Sequence, residues 1–344
     1  MNPERFEAIT GNYPRLRIAV VGDFCLDRYL EIDLARAEVS IETGLEVHNV
    51  VNVRSQPGAA GTILNNLVAL GVQEIFPVGF CGEDGEGFEL RRALAAMPGV
   101  KLDHFIQTAQ RRTFTYCKPL MIERGKPPRE LNRLDSKNWS PTPNNVSATI
   151  CSSVAALARK VDAMIVMDQV VIANTGVVTH LVLDAIRRAV RGNLFVLADS
   201  RRSLRGWPAV NLKMNACELA AMTGGKGSLG LPRIKSSAQT LARSHGRRVF
   251  VTLAERGIIG ASPDGDVIHV PAMLVRGAID IVGAGDAVTA TLAAAGASKA
   301  TLPEALELAM AGASVVIHQL GTTGTASVKQ LRKALRAQHR SADR

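Results

Sequence analysis

The sequence predicts an α/β fold, a mostly parallel sheet covered by helices on both faces, with a small β-sheet beside it. The prediction rests on three features. Short apolar runs of strand length recur at 16–22, 163–167, 194–198 and 249–253. Stripes with helical spacing lie between them. Two further segments, 28–54 and 111–135, alternate without any long amphipathic helix.

The first run, Leu-Arg-Ile-Ala-Val-Val-Gly, ends in glycine and reads as a buried strand entering a loop. Val146, Ile150, Val154, Leu157 and Val161 step by four, four, three and four, which marks one face of a helix. Val178, Leu181, Val182, Ala185, Ile186 and Ala189 mark a second, and Leu302, Leu306, Ala309, Ala313 and Val316 a third. Strands alternating with such helices form βαβ units, and these build a parallel sheet. In 28–54, Leu45, Val47, Asn49, Val51 and Val53 alternate, as do Phe114 and Tyr116 in 111–135. Both segments read as half-buried antiparallel strands, suited to a lid or a dimer surface. No repeat or low-complexity linker divides the chain, so one domain over 1–344 with the lid inserted is expected.

Composition narrows the class. Of 344 residues, 47% are hydrophobic and 21% charged, which excludes a disordered chain. Aromatics are only 4%, so the core must be aliphatic and alanine-rich. The net charge is +10, and half of it lies in the last sixteen residues. There Lys329, Arg332, Lys333, Arg336, Arg340 and Arg344 face only Asp343. The remaining body is mildly basic, and no nucleic-acid partner is expected. Val328, Leu331 and Leu335 share a face, as in a docked helix with a solvated outer side. No run nears ~20 apolar residues, and the start, Met-Asn-Pro-Glu-Arg, lacks the pattern of a signal peptide. The five cysteines include no Cys-x-x-Cys pair. A cytoplasmic protein with no membrane partner is expected.

The sharpest motif is Asp280-Ile281-Val282-Gly283-Ala284-Gly285-Asp286, which opens into a helix-forming run. Small residues let the backbone approach a ligand. The first amides of the helix have no internal partner, and with the helix dipole they make an anion site. A carboxylate there, Asp286, would repel an anion unless it orients and deprotonates an attacking hydroxyl. The alternative reading is a plain N-terminal cap and turn.

This heptad resembles the C-terminal signature of the ribokinase-like (PfkB) carbohydrate kinases, and other motifs follow in that family's order. Gly22-Asp23-Phe24-Cys25-Leu26-Asp27 is similar to the sugar-binding strand end, with Asp27 implied to grip hydroxyls. Pro57-Gly58-Ala59-Ala60-Gly61-Thr62 is similar to the turn and helix beneath the sugar, implicating Gly58, Ala59 and Thr62. Asn215-Ala216-Cys217-Glu218 matches Asn-x-x-Glu, which implies that Asn215 and Glu218 organise Mg²⁺ and phosphate, Glu218 through water. Thr252 to Gly257 resembles the nucleotide-binding strand and turn, and Asp280 opens the final signature.

The resemblance covers about 16–328. It implies a three-layer α/β/α domain of ribokinase-like fold, ATP and Mg²⁺ as cofactors, a monovalent cation as a further candidate, and a homodimer formed through the lid. Asp286 would be the base, with Gly283, Ala284 and Gly285 as the anion hole. Within the family, the Gly-Asp-x-x-Leu-Asp-x-Tyr opening, Arg133-Leu134-Asp135 and the 319–325 tail are similar to heptose 7-phosphate kinases, the kinase part of ADP-heptose synthases. No His-x-Gly-His motif of a nucleotidyltransferase occurs, so a kinase working with a separate nucleotidyltransferase is expected.

Some positions depart from the family. Thr62 replaces an Asn and offers only one hydroxyl. Ala59 replaces a glycine, at about 1 kcal/mol if φ is positive. Val282 replaces Thr or Ser, and Ala254 replaces a glycine. These changes bear on which sugar is used: a nucleoside, a ketohexose and fructose 6-phosphate remain alternatives, as does a non-catalytic sensor of the same fold. Arg201, Arg202, Lys118 and Arg111 are candidates for meeting a phosphate, and His318 reads as structural.

Overall fold

The computed structural model describes residues 1–190, 194–224 and 230–342, with backbone alone at 339–342. Arg344 and Asp343 of the basic tail lie outside the described residues. The main sheet has nine strands, in spatial order Val267–Val270, Ile258–Ala261, Val249–Thr252, Asn211–Asn215, Phe195–Ser200, Ala163–Asp168, Arg17–Gly22, Glu74–Gly82 and Phe105–Thr108. Every neighbouring pair from Val249–Thr252 to Phe105–Thr108 is parallel. Val249–Thr252, Ile258–Ala261 and Val267–Val270 form an antiparallel meander at the other edge.

The central strand Arg17–Gly22 is buried from Ile18 onward, so both of its faces need apolar partners. Ile18 and Val20 belong to one core, with helices Ala60–Ala69, Ala284–Ala297 and Leu302–Ile317. Ala19 and Val21 belong to the opposite core, with Asn144–Leu157, His180–Ala189 and Leu231–His245. The three layers follow from this alternation. Ala287, Ala290, Ala293 and Ala294 are all fully buried in the helix Ala284–Ala297, which realises the alanine-rich core. The last helix, Val328–Ala342, docks through Leu331 and Leu335, and its Arg332 pairs with Glu7 at 2.8 Å. No helix among the described residues is long and apolar enough to cross a membrane.

The second sheet runs Leu134–Ser136, Phe114–Ile122, Phe24–Asp33, Val50–Ala59. It corrects two expectations. Phe24–Asp33 lies parallel to Phe114–Ile122 and antiparallel only to Val50–Ala59. The two strands arrive from separate excursions out of the main sheet, so no hairpin forces them antiparallel. The strand Val50–Ala59 is exposed from Val50 to Ser55 rather than half-buried, with Val51 at 48%. It is an edge strand that extends past the helices, so neither face is covered there.

Candidate active site

The parallel strands deliver polar residues to one edge. Asp23 follows Arg17–Gly22, while Asp168, Asp199 and Asn215 lie at the carboxyl ends of their own strands. Open α/β sheets bind ligands at this edge. A cavity of about 670 Å³ opens there, between the sheet edge and the small sheet. Asp27, Ala59, Thr62, Glu218, Gly283, Gly285 and Asp286 all line it, so motifs far apart in sequence converge on one space.

Gly283 takes φ 83, a left-handed turn, and the helix Ala284–Ala297 starts directly after it. A Cβ on Gly285 would lie 3.3 Å from Lys213 Nζ, so the glycine keeps the ammonium next to the helix N-terminus. The Ala284 amide donates to the Ile281 carbonyl at 3.3 Å. Of the three residues expected in the anion hole, Gly283 and Gly285 line the cavity, while the Ala284 amide is engaged in the turn. Asp280 has a similar task outside the cavity. Its carboxylate accepts from the Val282 amide at 3.0 Å and the Gly321 amide at 3.3 Å.

Asp286 stands in the first helical turn. Burial pushes its carboxyl up to about 7, and the Asp199 and Asp27 charges act in the same sense, against Lys213 and Arg201. Lys213 and Asp199 also line the cavity, and sequence reasoning did not single them out. Their Nζ and Oδ2 are 2.6 Å apart and buried. Burial alone would lower the lysine, but Asp199, followed by Asp286 and Glu218, outweighs it and holds the ammonium charged. The available signal was a lysine flanked by the apolar Leu212 and Met214, because a buried lysine requires a partner. Thr289 Oγ1 adds a 3.4 Å bond to Asp199.

On the sugar side, Asp27 is buried, and that burial raises its pKa against the pull of Lys118 and Arg133. Gly58 does not line the cavity; it makes room for Asp27. A Cβ there would fall 2.6 Å from Asp27 Oδ2 and 2.7 Å from Cys25 Sγ. Ala59 has φ 53 and ψ −117 as it enters the helix Ala60–Ala69, a positive-φ backbone that a glycine adopts freely. Ala254 also has φ 53.

Asn215 and Glu218 form a reciprocal capping box. Asn215 Oδ1 accepts the Glu218 amide at 2.9 Å, and Glu218 Oε2 accepts the Asn215 amide at 2.7 Å. Glu218 also faces the cavity, and burial raises its pKa. Thr252 and Gly257 flank the edge hairpin and are not among the cavity-lining residues. Arg201 lines the cavity, whereas Arg202 is bound to Asp168 at 2.8 Å. Arg111 is a buried tie, donating to the Thr175 carbonyl at 2.7 Å and the Ser140 carbonyl at 3.0 Å. His318 bridges the Ser314 carbonyl and the Arg276 amide, which fits its structural reading.

The fold is of ribokinase-like architecture, with a polar cavity at the carboxyl edge of its sheet. A family description, pfkB family carbohydrate kinase, matches residues 16–329, and the chain belongs to that family. The bifunctional protein HldE of Azorhizobium caulinodans is 30% identical over 321 residues, covering 92% of this chain and 64% of the relative. HldE of Rhodospirillum rubrum is 31% identical over 317 residues, 91% of this chain and 61% of the relative. The chain thus spans less than two thirds of these relatives' length. Phosphofructokinase-2 from Escherichia coli, solved with substrates and products, superposes with TM-score 0.71 at 16% identity, covering 94% of this chain and 99% of that one. Arabidopsis thaliana ribokinase with ribose and ATP superposes at 0.65 with 19% identity, covering 93% and 98%.

Proposed function

We propose that this carbohydrate kinase transfers the γ-phosphoryl group of Mg·ATP to a hydroxyl of heptose 7-phosphate, with Asp286 as the base. The carrying observation is that Asp286 and Asp27 share one cavity whose far wall is a glycine-opened helix N-terminus beside Lys213. The sugar follows from the resemblance of the opening and 133–135 motifs, together with the longer bifunctional relatives.

The residues fit the implied groups. A side chain on Gly285 would crowd Lys213 Nζ at 3.3 Å, so this glycine leaves room for phosphate oxygens beside the ammonium. Among the described residues no cluster of three or more His, Cys, Asp or Glu forms a direct metal-ligand set. Glu218, a single carboxylate facing the cavity, suits an ion that keeps most of its waters. When bound, Mg·ATP supplies the phosphoryl group and screens its charge.

Asp27 orients the acceptor, and Asp286 takes the proton of the attacking hydroxyl. The Gly283 and Gly285 amides and Lys213 face the charge that builds on the phosphoryl oxygens. Little base strength is needed, because the transition state is loose and positioning dominates. The small sheet excludes water above the acceptor. Its exposed edge, with Val51 and Val53 outward, supports a homodimer contact. A nucleotidyltransferase would act on the resulting sugar phosphate.

The test is ADP release with Mg·ATP against heptose 7-phosphate, fructose 6-phosphate, ketohexoses and nucleosides. Preferred turnover of the heptose phosphate is expected. Preference for another acceptor would retain the family and reassign the sugar, and silence with retained ATP binding would favour a sensor.

A further inference from the structure

We infer that Trp139, Val171 and Ile172 form an apolar wall of the active-site cavity, against which the C–H face of the acceptor's sugar ring packs. The inference rests on the sugar-kinase reading above and assigns residues that hold the acceptor by its ring rather than by its hydroxyls or charge.

All three side chains are large, apolar and open to solvent. Trp139 is 70% exposed, Val171 69% and Ile172 42%. Single exposed apolar residues are ordinary on a protein surface. Three that line one cavity are not, because a ligand that covers them removes apolar area from water. The chain's other tryptophan, Trp207, is buried in the core.

The wall belongs to the acceptor end. Trp139 follows the strand Leu134–Ser136, where Asp135 pairs with Tyr116 and Tyr116 pairs with Asp27. Trp139 therefore leaves the small sheet beside the row that carries the acceptor-orienting carboxylate.

The wall is set before a ligand arrives. Trp139 lies in the segment 137–142, and Val171 and Ile172 lie in the loop 169–177. The buried Arg111 ties the two together, its Nη2 donating to the Ser140 carbonyl at 3.0 Å and the Thr175 carbonyl at 2.7 Å. The Thr142 amide and hydroxyl donate to the Asn174 and Gly176 carbonyls, each at 2.7 Å. Asp23 closes the base of the loop, accepting the Gln169 amide at 2.8 Å and the Val177 amide at 2.7 Å. Groups held this way have little freedom left to lose on binding.

A sugar ring carries a face of C–H groups and a rim of hydroxyls. Asp27 and Gln169 line the same cavity and serve the rim, while the indole serves the face. Tryptophan suits this task, since it offers a wide flat surface governed by only two side-chain torsions.

The test combines tryptophan emission with steady-state kinetics on the full chain. The acceptors are heptose 7-phosphate, fructose 6-phosphate, ribose and adenosine, titrated with Mg·ADP present. The wild-type signal minus that of Trp139→Phe isolates Trp139 from Trp207. At least one sugar or sugar phosphate should change this difference. For that acceptor, Trp139→Ala should raise KM about three- to tenfold while the ATP KM holds within about twofold, and Trp139→Phe should keep most of the wild-type affinity. A melting curve shows that each variant folds. The inference is overturned if no acceptor changes the Trp139 emission, if Trp139→Ala keeps the wild-type acceptor KM, or if both KM values rise alike. A response to adenosine alone would also overturn it, because a base rather than a sugar ring would then cover the wall. A response confined to fructose 6-phosphate or ribose would remove the heptose assignment and leave the wall standing.

Discussion

Lys213 Nζ lies 2.6 Å from Asp199 Oδ2, and both charges act on Asp286, whose carboxyl is raised mainly by burial. The lysine draws the Asp286 pKa down while Asp199 pushes it up. Asp286 thus stands next to a nearly neutral unit that still presents an ammonium to the helix N-terminus.

Lys213→Met leaves Asp199 buried without its counter-charge. Breaking such a pair from one side typically costs about 3–5 kcal/mol. Calorimetry should show a clear fall in Tm, and adding Asp199→Asn should recover part of it. An unchanged Tm in the single variant would mean that the pair contributes nothing to the fold.

Asp286 should make activity rise with pH. Its carboxyl titrates near 7 in the folded protein, raised mainly by burial. The base is active when deprotonated, so kcat/KM should climb through about pH 7 and level off above it. Stability runs the other way. Between the ordinary carboxylate range and 7, the native state holds a proton that the unfolded chain has lost, so this group's contribution falls as pH rises. Asp286→Asn should therefore raise stability at pH 8 by about a few kcal/mol at most, seen as a higher Tm, and the gain should vanish near pH 4. Paired melts at the two pH values check the sign.

Gly58→Ala should damage sugar binding selectively. Its new methyl would sit 2.6 Å from Asp27 Oδ2, so that carboxylate must move. The acceptor KM should rise about tenfold or more while the ATP KM holds. An equal rise in both would point to general unfolding of the cavity.

Ala59→Gly should relieve strain. At φ 53 the alanine methyl costs about 1 kcal/mol, partly offset by the greater chain entropy of glycine when unfolded. A small rise in Tm is expected in thermal melts, and a fall would show that the methyl is needed for packing.

Much of this architecture was legible in the sequence, for a physical reason. Strands such as Ala163–Asp168 are buried on both faces, so they read as continuous apolar runs. Two neighbours were not. Glu74–Gly82 carries Pro77 and Gly79, which argue against a strand, and Asn211–Asn215 is polar at alternate positions, with Lys213 paired to Asp199. The glycine turn and Asp286 were visible because their conformational demands are local. The roles of Gly58, Arg111 and the Lys213–Asp199 pair were hidden, since each depends on a contact from elsewhere in the chain.

The most direct measurement is ADP release from Mg·ATP with heptose 7-phosphate, comparing wild type with Asp286→Asn. Turnover in the wild type and a loss of about 10²–10⁴-fold in kcat, with ATP still bound, is the predicted result. An Asn variant that turns over at the wild-type rate would contradict the assignment of Asp286 as the base.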